Sequence, residues 1–248
     1  MTRATRSVGA AAKSPGRLSK AVIGLFMKRA TIAAIEELAP RFRLVTLEGT
    51  PLQNVTWAPG QKLQIAMSSA FVARTYTPID WDKGAGRTRL LGYAHGEGPG
   101  SAWLLGLVPG DECDVFGPRP SLDTGRAAPP LALFGDETSI GLAHALVAAQ
   151  RIDAVRCLFE IGDVGAGRAI LTRLGLDDAT LIARCDDGRH LDALEDALGS
   201  MAVTGASFVL TGQAGAIQRL RQHLRAQGVL ASRILTKAYW AHGKRGLD

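Results

Sequence analysis

The pattern of this chain changes once, and the change limits what it can fold into. From residue 30 to 116, short β-type runs alternate with breakers: segments 31–38, 42–49, 61–67, 72–79, 88–95 and 112–117 all fit strands. Between them stand Pro59-Gly60, Gly84-Ala85-Gly86, Gly96 through Gly100, and Pro109-Gly110. Strands at this spacing predict an antiparallel barrel or sandwich. After the turn-rich stretch Gly125 to Pro130, strand-like runs at 131–135, 154–161, 179–185, 207–212 and 233–240 are separated by helical stretches. That alternation predicts an open parallel sheet with helices on both faces. The fold class expected is therefore β plus α/β. The divisions are a basic, disordered tail at 1–14, a barrel domain with a short N-terminal helix at 15–126, and an α/β domain at 127–248.

Charge excludes one class of function. The chain of 248 residues carries a net charge of +6, which on its own suggests nucleic acid. Residues 1–35, however, hold no Asp or Glu, and Arg3, Arg6, Lys13, Arg17, Lys20, Lys28 and Arg29 supply the whole excess. The remainder holds 22 basic against 23 acidic residues, so the body is neutral and no nucleic-acid-binding fold is indicated. Near-helical spacing of Leu18, Val22, Leu25 and Phe26 predicts a short amphipathic helix over 15–27. Cys113, Cys157 and Cys185 form no C-x-x-C pair, as expected of reduced thiols in a cytoplasmic protein. No apolar run is long enough for a membrane span.

Chemistry concentrates in two stretches of the first half. Arg74-Thr75-Tyr76-Thr77-Pro78 offers a fixed cation, an aromatic face and a hydroxyl within four residues. Those groups suit a flavin dinucleotide, which needs a pyrophosphate partner, a stacking surface and a hydrogen bond at the ring edge. Downstream, alternation puts Leu91, Tyr93 and His95 on one face, followed by the glycine-rich turn Gly96 to Gly100 and Ser101. Bare backbone there can approach a phosphate, helped by a helix starting near Ser101. The alternative is a barrel strand and a tight turn, with Trp103 as core. Pairing Ser101 with His95 as a hydrolase lacks the nucleophile elbow.

In the second half, Gly135-Asp136-Glu137-Thr138-Ser139 falls where the first parallel strand meets its helix, the edge at which nucleotides bind. Asp136 or Thr138 also suits a helix cap. Gly162, Gly165 and Gly167 follow the wrong strand, at the wrong spacing, for a dinucleotide fingerprint, and predict a loop. Thr211-Gly212-Gln213 ends a later strand.

Taken in order, RTYTPIDWD, HGEGPGSAW, PGDECDVFGPRPS, FGDETS, and Tyr239-Trp240 followed by Gly243 resemble the siderophore-interacting protein family, from about Leu18 to Gly246. The resemblance implies a ferredoxin-reductase-like fold, an FAD in the barrel, NADH or NADPH as electron donor, and a ferric siderophore as substrate. It implies that Arg74, Thr75, Tyr76 and Thr77 contact the FAD. By the same resemblance Tyr93, His95, Gly98, Pro99, Gly100 and Ser101 line its ribityl and pyrophosphate portion. Asp136, Glu137 and Thr138 would face the cleft where the nicotinamide enters, with Tyr239 and Trp240 near the flavin. No metal ligands and no catalytic side chain are implied, since the chemistry belongs to the cofactor.

Departures from the family pattern fall at three places. Pro78 and Ile79 stand where Val and Arg are frequent, so a charge facing substrate or flavin is missing. Pro120 replaces a glycine and removes an N–H donor. Gln213 and Gln218 stand where Glu and Arg are common, while Arg221 is kept. Glu160, near the end of the second strand, favours a free ribose 2′-hydroxyl and hence NADH. Two other readings stay open: a general NAD(P)H diaphorase with another acceptor, and a non-catalytic module that binds a nucleotide or siderophore.

Overall fold

The computed structural model describes residues 27–69, 72–149 and 155–244. The basic tail and all but Met27 of the helix expected over 15–27 lie outside the described residues.

Seven antiparallel strands form the first sheet: β1 (Lys28–Ala39), β2 (Phe42–Glu48), β3 (Lys62–Ser69), β4 (Val72–Tyr76), β5 (Pro78–Asp82), β6 (Arg87–Tyr93) and β7 (Glu112–Arg119). Their order is β4-β3-β7-β1-β2-β6-β5, so β4 and β5 lie at opposite ends. Yet only Thr77 separates those two strands in the chain. A one-residue joint spans a few ångströms at most, so the sheet must curl until its ends meet. The expected single run 72–79 is thus two strands, broken because Pro78 has no N–H for a ladder and is tolerated as the first residue of an edge strand. Inside the curl, Ile32, Val45, Leu47, Leu63, Ile65, Leu90 and Val115 are buried. Helix α1 (Pro99–Gly106) closes one end, and Leu104 packs so closely on Gly92 that a Cβ there would stand 2.6 Å from Leu104 Cδ1. Arg43 holds the far end of α1, donating to the carbonyls of Leu104 at 3.0 Å and Leu105 at 2.8 Å.

The second sheet is parallel: β8 (Leu131–Gly135), β9 (Val155–Ile161), β10 (Thr180–Ala183), β11 (Ser207–Gln213) and β12 (Ile234–Trp240), in the order β10-β9-β8-β11-β12. Strand alternation supplies two cores. Leu133, Phe159 and Val209 pack under helices α2 (Ile140–Ala149) and α3 (Val164–Arg173). Phe134, Leu158, Phe208 and Leu210 pack under α4 (His190–Val203) and α5 (Ala214–Ala226) on the opposite face. Gly162 lies in the turn after β9, but Gly165 and Gly167 do not form the expected loop. Asp163 caps α3 by accepting from the Ala166 N–H at 2.9 Å, which turns the segment helical at once. Gly167 then lies inside the helix, where a Cβ would come 2.9 Å from Ile161 Cγ2.

The first of these cores continues across the boundary between the sheets, taking in Phe42 with Leu38, Leu91 and Tyr93 of the barrel. Ile79, on β5, is 1% exposed, and Gly141 at the start of α2 comes so near that a Cβ would stand 2.9 Å from Ile79 Cγ2. Position 79 therefore faces α2 across the junction, and an arginine there would point into packed helix. Among the described residues no helix is long and apolar enough to cross a membrane. Ile79→Ala should leave a cavity at this junction and cost about 2–5 kcal/mol of stability, measured by urea denaturation.

Candidate functional site

The Thr77 joint lies where three elements meet: β4, the N-terminus of α1, and the last strand of the parallel sheet. Arg74 and Tyr76 share one face of β4 by alternation. Gly100, in the first turn of α1, rests on both: a Cβ there would stand 3.2 Å from Arg74 Cγ and 3.5 Å from Tyr76 Oη. Tyr76 donates to the Gly100 carbonyl at 3.4 Å and tilts against Trp103 with centroids 5.4 Å apart. Burial pushes the Tyr76 hydroxyl well above its ordinary range, with the Arg74 charge pulling weakly the other way. The phenol is a neutral donor.

Two features of this corner suit an anion. No side chain caps α1: its N-cap is Gly98 and Pro99 opens the helix. The N–H groups of that first turn are among the orphan donors of any helix start. Beside them, the Arg74 guanidinium donates to the carbonyl of Ala73 at 2.8 Å, and no carboxylate pairs with it among the described residues. Arg29, Arg87 and Arg89 on the same sheet are all in ion pairs. Gly98 and Pro99 are exposed and Ser101 is buried. The residues present therefore fit a phosphate-bearing cofactor: a cation, unclaimed amides, and a glycine whose side chain would fill the gap.

Across the junction β12 carries a β-bulge. Gly212 on β11 is opposite Ala238, but Gln213 is opposite Trp240, so Tyr239 is the extra residue. A bulge re-aims side chains. Tyr239 reaches back to the barrel, its hydroxyl 3.5 Å from Thr77 Oγ1. Burial pushes the Tyr239 hydroxyl up to about 12, so it too stays neutral. Trp240 turns to the other side. Its Nε1–H donates to Asp136 Oδ2 at 2.6 Å, and its ring stacks on His95 at 5.9 Å between centroids.

Asp136 ends β8, on the carboxyl edge of the parallel sheet, facing the end of β11 where the strand order reverses. It is fully buried, and its Oδ1 accepts from the N–H of Thr138 at 2.9 Å and from its hydroxyl at 2.5 Å. Burial pushes its carboxyl above the usual range, and the bonds from Thr138 and Trp240 pull it back. Glu137 is buried as well, accepting from the Gly162 N–H at 2.8 Å and from Arg184 at 2.7 Å. Of the three residues expected along the cleft, the structure leaves only Thr138 part-exposed and turns both carboxylates inward.

Glu160 is 2% exposed, so it is not presented to a ribose. It accepts from His190 Nε2 at 2.9 Å. His190 Nδ1 in turn receives the Cys185 N–H at 3.1 Å, which fixes the proton on Nε2. Burial pushes the Glu160 carboxyl up, against Arg184 and His190. Tyr93 stands apart from the Arg74 group, packed on Phe42 at 4.6 Å in the shared core, with Arg41 over its ring. Gln213 caps α5, accepting from the Ala216 N–H at 2.6 Å. Sequence reasoning missed the Asp136–Trp240 bond and the Glu137–Arg184–Glu160–His190 cluster. The available signal was four buriable ionic residues at the ends of adjacent parallel strands.

The model of the siderophore-interacting protein family matches residues 128–243, spanning β8 to β12. No curated protein matches the chain. The siderophore-interacting protein SipS from Aeromonas hydrophila superposes with a TM-score of 0.72 at 21% identity, covering 89% of this chain and 93% of that one. The ferredoxin reductase in carbazole 1,9a-dioxygenase gives 0.70 at 17% identity over 86% of this chain and 69% of that one. The flavohem-like FAD/NAD-binding domain of nitric oxide dioxygenase from Vibrio cholerae O1 biovar El Tor gives 0.64 at 15%, over 86% and 98%. The two sheets thus have the ferredoxin-reductase-like fold, and the residues matched by the family model include Asp136, Tyr239 and Trp240 at the junction.

His190→Ala should strand the buried Glu160 carboxylate and cost about 1–3 kcal/mol. Because the folded-state pKa of Glu160 is already raised and rises further without its donor, protonation relieves the deficit. The stability gap to wild type in urea denaturation should be wider at pH 8 than at pH 5.5.

Proposed function

We propose that the protein is an FAD-dependent reductase that takes electrons from NADH or NADPH and delivers them to ferric iron held by a siderophore, in the cytoplasm. The observation that carries this reading is the corner built by Arg74, Tyr76 and the uncapped first turn of α1. On this reading the barrel of residues 15–126 holds FAD and residues 127–248 receive the nicotinamide nucleotide. Arg74 and the amides of Gly100 and Ser101 bind the pyrophosphate. Tyr76 and Thr77 border the ring, with Thr77 held in place by Tyr239. Tyr239 and Trp240 stand on the nucleotide's side of the junction.

A bound flavin accepts electrons as a pair and releases them singly, the conversion needed between a hydride donor and ferric iron. The chain's own residues have a simpler task. They bind, orient and exclude water, and none is required to move a proton: both tyrosine hydroxyls are held neutral and both carboxylates beside the cleft are internally bonded. The siderophore completes the iron's coordination, so no protein ligands for the metal are needed.

The protein should take up FAD on reconstitution and bleach on anaerobic addition of NADH or NADPH. Ferric siderophore with a ferrous trap should then restore the oxidised spectrum and give trapped iron. Absence of flavin binding would overturn the reading. Bleaching without iron reduction would leave a general reductase with another acceptor. Arg74→Ala should weaken FAD binding by about 1.5–3 kcal/mol, the range for hydrogen bonds to charged groups, measured by titration of the apoprotein; unchanged affinity would remove Arg74 from the site.

A further inference from the structure

A helix cap needs one oxygen, and Asp136 uses both. Oδ1 alone accepts the N–H and hydroxyl of Thr138. Oδ2 is given to the Trp240 indole at 2.6 Å, from the far end of the chain. The neighbouring strand is shaped around that second bond. Gly212 has φ +102, and a Cβ on it would stand 2.5 Å from Asp136 Oδ2. The bulge that leaves Tyr239 extra is what turns Trp240 toward Asp136 while Tyr239 goes to Thr77. His95, from the barrel, then stacks on the indole at 22° between planes. One buried carboxylate thereby fixes an aromatic ring that touches both domains.

We infer that Asp136 is a positioning residue for Trp240: it does not meet the nicotinamide itself but orders the indole that walls the cleft before the nucleotide arrives. Its kinetic consequence rests on the reductase reading above; its structural consequence does not. Ordering a free aromatic side chain on binding costs affinity. Releasing Trp240 should therefore raise KM for the reduced nicotinamide nucleotide about three- to tenfold and leave kcat within about twofold. A residue that only caps the 3-10 turn Glu137–Ser139 leading into α2 would change stability and leave that ratio alone.

The test uses the full chain and two variants. In the 15N-indole spectrum, Trp240→Phe identifies the Trp240 resonance among those of Trp57, Trp81, Trp103 and Trp240. Asp136→Asn should shift that resonance and speed its exchange with water, leaving the other three in place. With NADH as the probe, Asp136→Asn and Trp240→Phe should raise KM alike, and the double variant no further than either, since both cut one bond. An unmoved Trp240 resonance in Asp136→Asn, or KM effects that add in the double variant, would overturn the assignment. Should Asp136→Asn not fold, Trp240→Phe decides alone, because an unchanged KM refutes it. Should NADH fail to reduce the protein, the reductase reading falls while the indole resonance still tests the bond between Asp136 and Trp240.

Discussion

The constraint on which this molecule depends is the single residue between β4 and β5. Two strands at opposite ends of a seven-stranded sheet are joined by Thr77 alone, so the sheet can exist only if it curls shut there. Curling brings Arg74 and Tyr76, at the end of one strand, within reach of Ile79, at the start of the next. The first pair faces α1, and Ile79 faces α2 of the other domain. The seam of the barrel thus lies at the junction between the sheets, where Tyr239 meets Thr77.

A second layer of organisation comes from carboxylates that the solvent never sees. Asp136, Glu137 and Glu160 lie at the carboxyl edge of adjacent parallel strands. Leaving such groups uncompensated in the interior would be costly. Each is instead bound to something that fixes a turn: Asp136 to Thr138, Glu137 to the Gly162 amide, and Glu160 to His190. Arg184 supplies the cation for two of them, at 2.7 Å from Glu137 and 4.0 Å from Glu160. At the carboxyl edge of the sheet these acids are turned inward and shape the floor, leaving backbone and aromatic rings on the side facing the barrel.

Much of the fold was legible in the sequence because its signals are local. Alternating strands broken by Pro-Gly and Gly-x-Gly, then strands alternating with helices, led to the two sheets without any long-range information. The Arg74 to Thr77 stretch and the Gly98 to Ser101 turn could be singled out in the sequence, and the structure brings Arg74, Tyr76 and Gly100 into contact. What was not legible was direction. Nothing local says that Ile79 points at α2, that Glu160 turns inward to His190, or that a bulge at Tyr239 sends it one way and Trp240 the other. Those outcomes depend on which distant element arrives next to each side chain. The misjudged Gly162 to Gly167 stretch has the same cause in smaller form. Three glycines argue for a loop, but Asp163 caps the segment, and the packing of Gly167 on Ile161 rewards a helix.

Side chains around the junction share one property that bears on what they can do. The Tyr76 and Tyr239 hydroxyls are pushed away from ionisation by burial, and Asp136 has both oxygens engaged. A site meant for acid or base catalysis would instead keep a titratable group close to neutral pH and open to its substrate. Here the two tyrosine hydroxyls and the Asp136 carboxyl are locked, and those left open include an arginine, unclaimed amides and the exposed His95 ring stacked on Trp240. Such a set suits binding and placement of a planar, phosphate-bearing molecule better than proton transfer, and under the proposed reductase reading precision of placement is what the protein contributes.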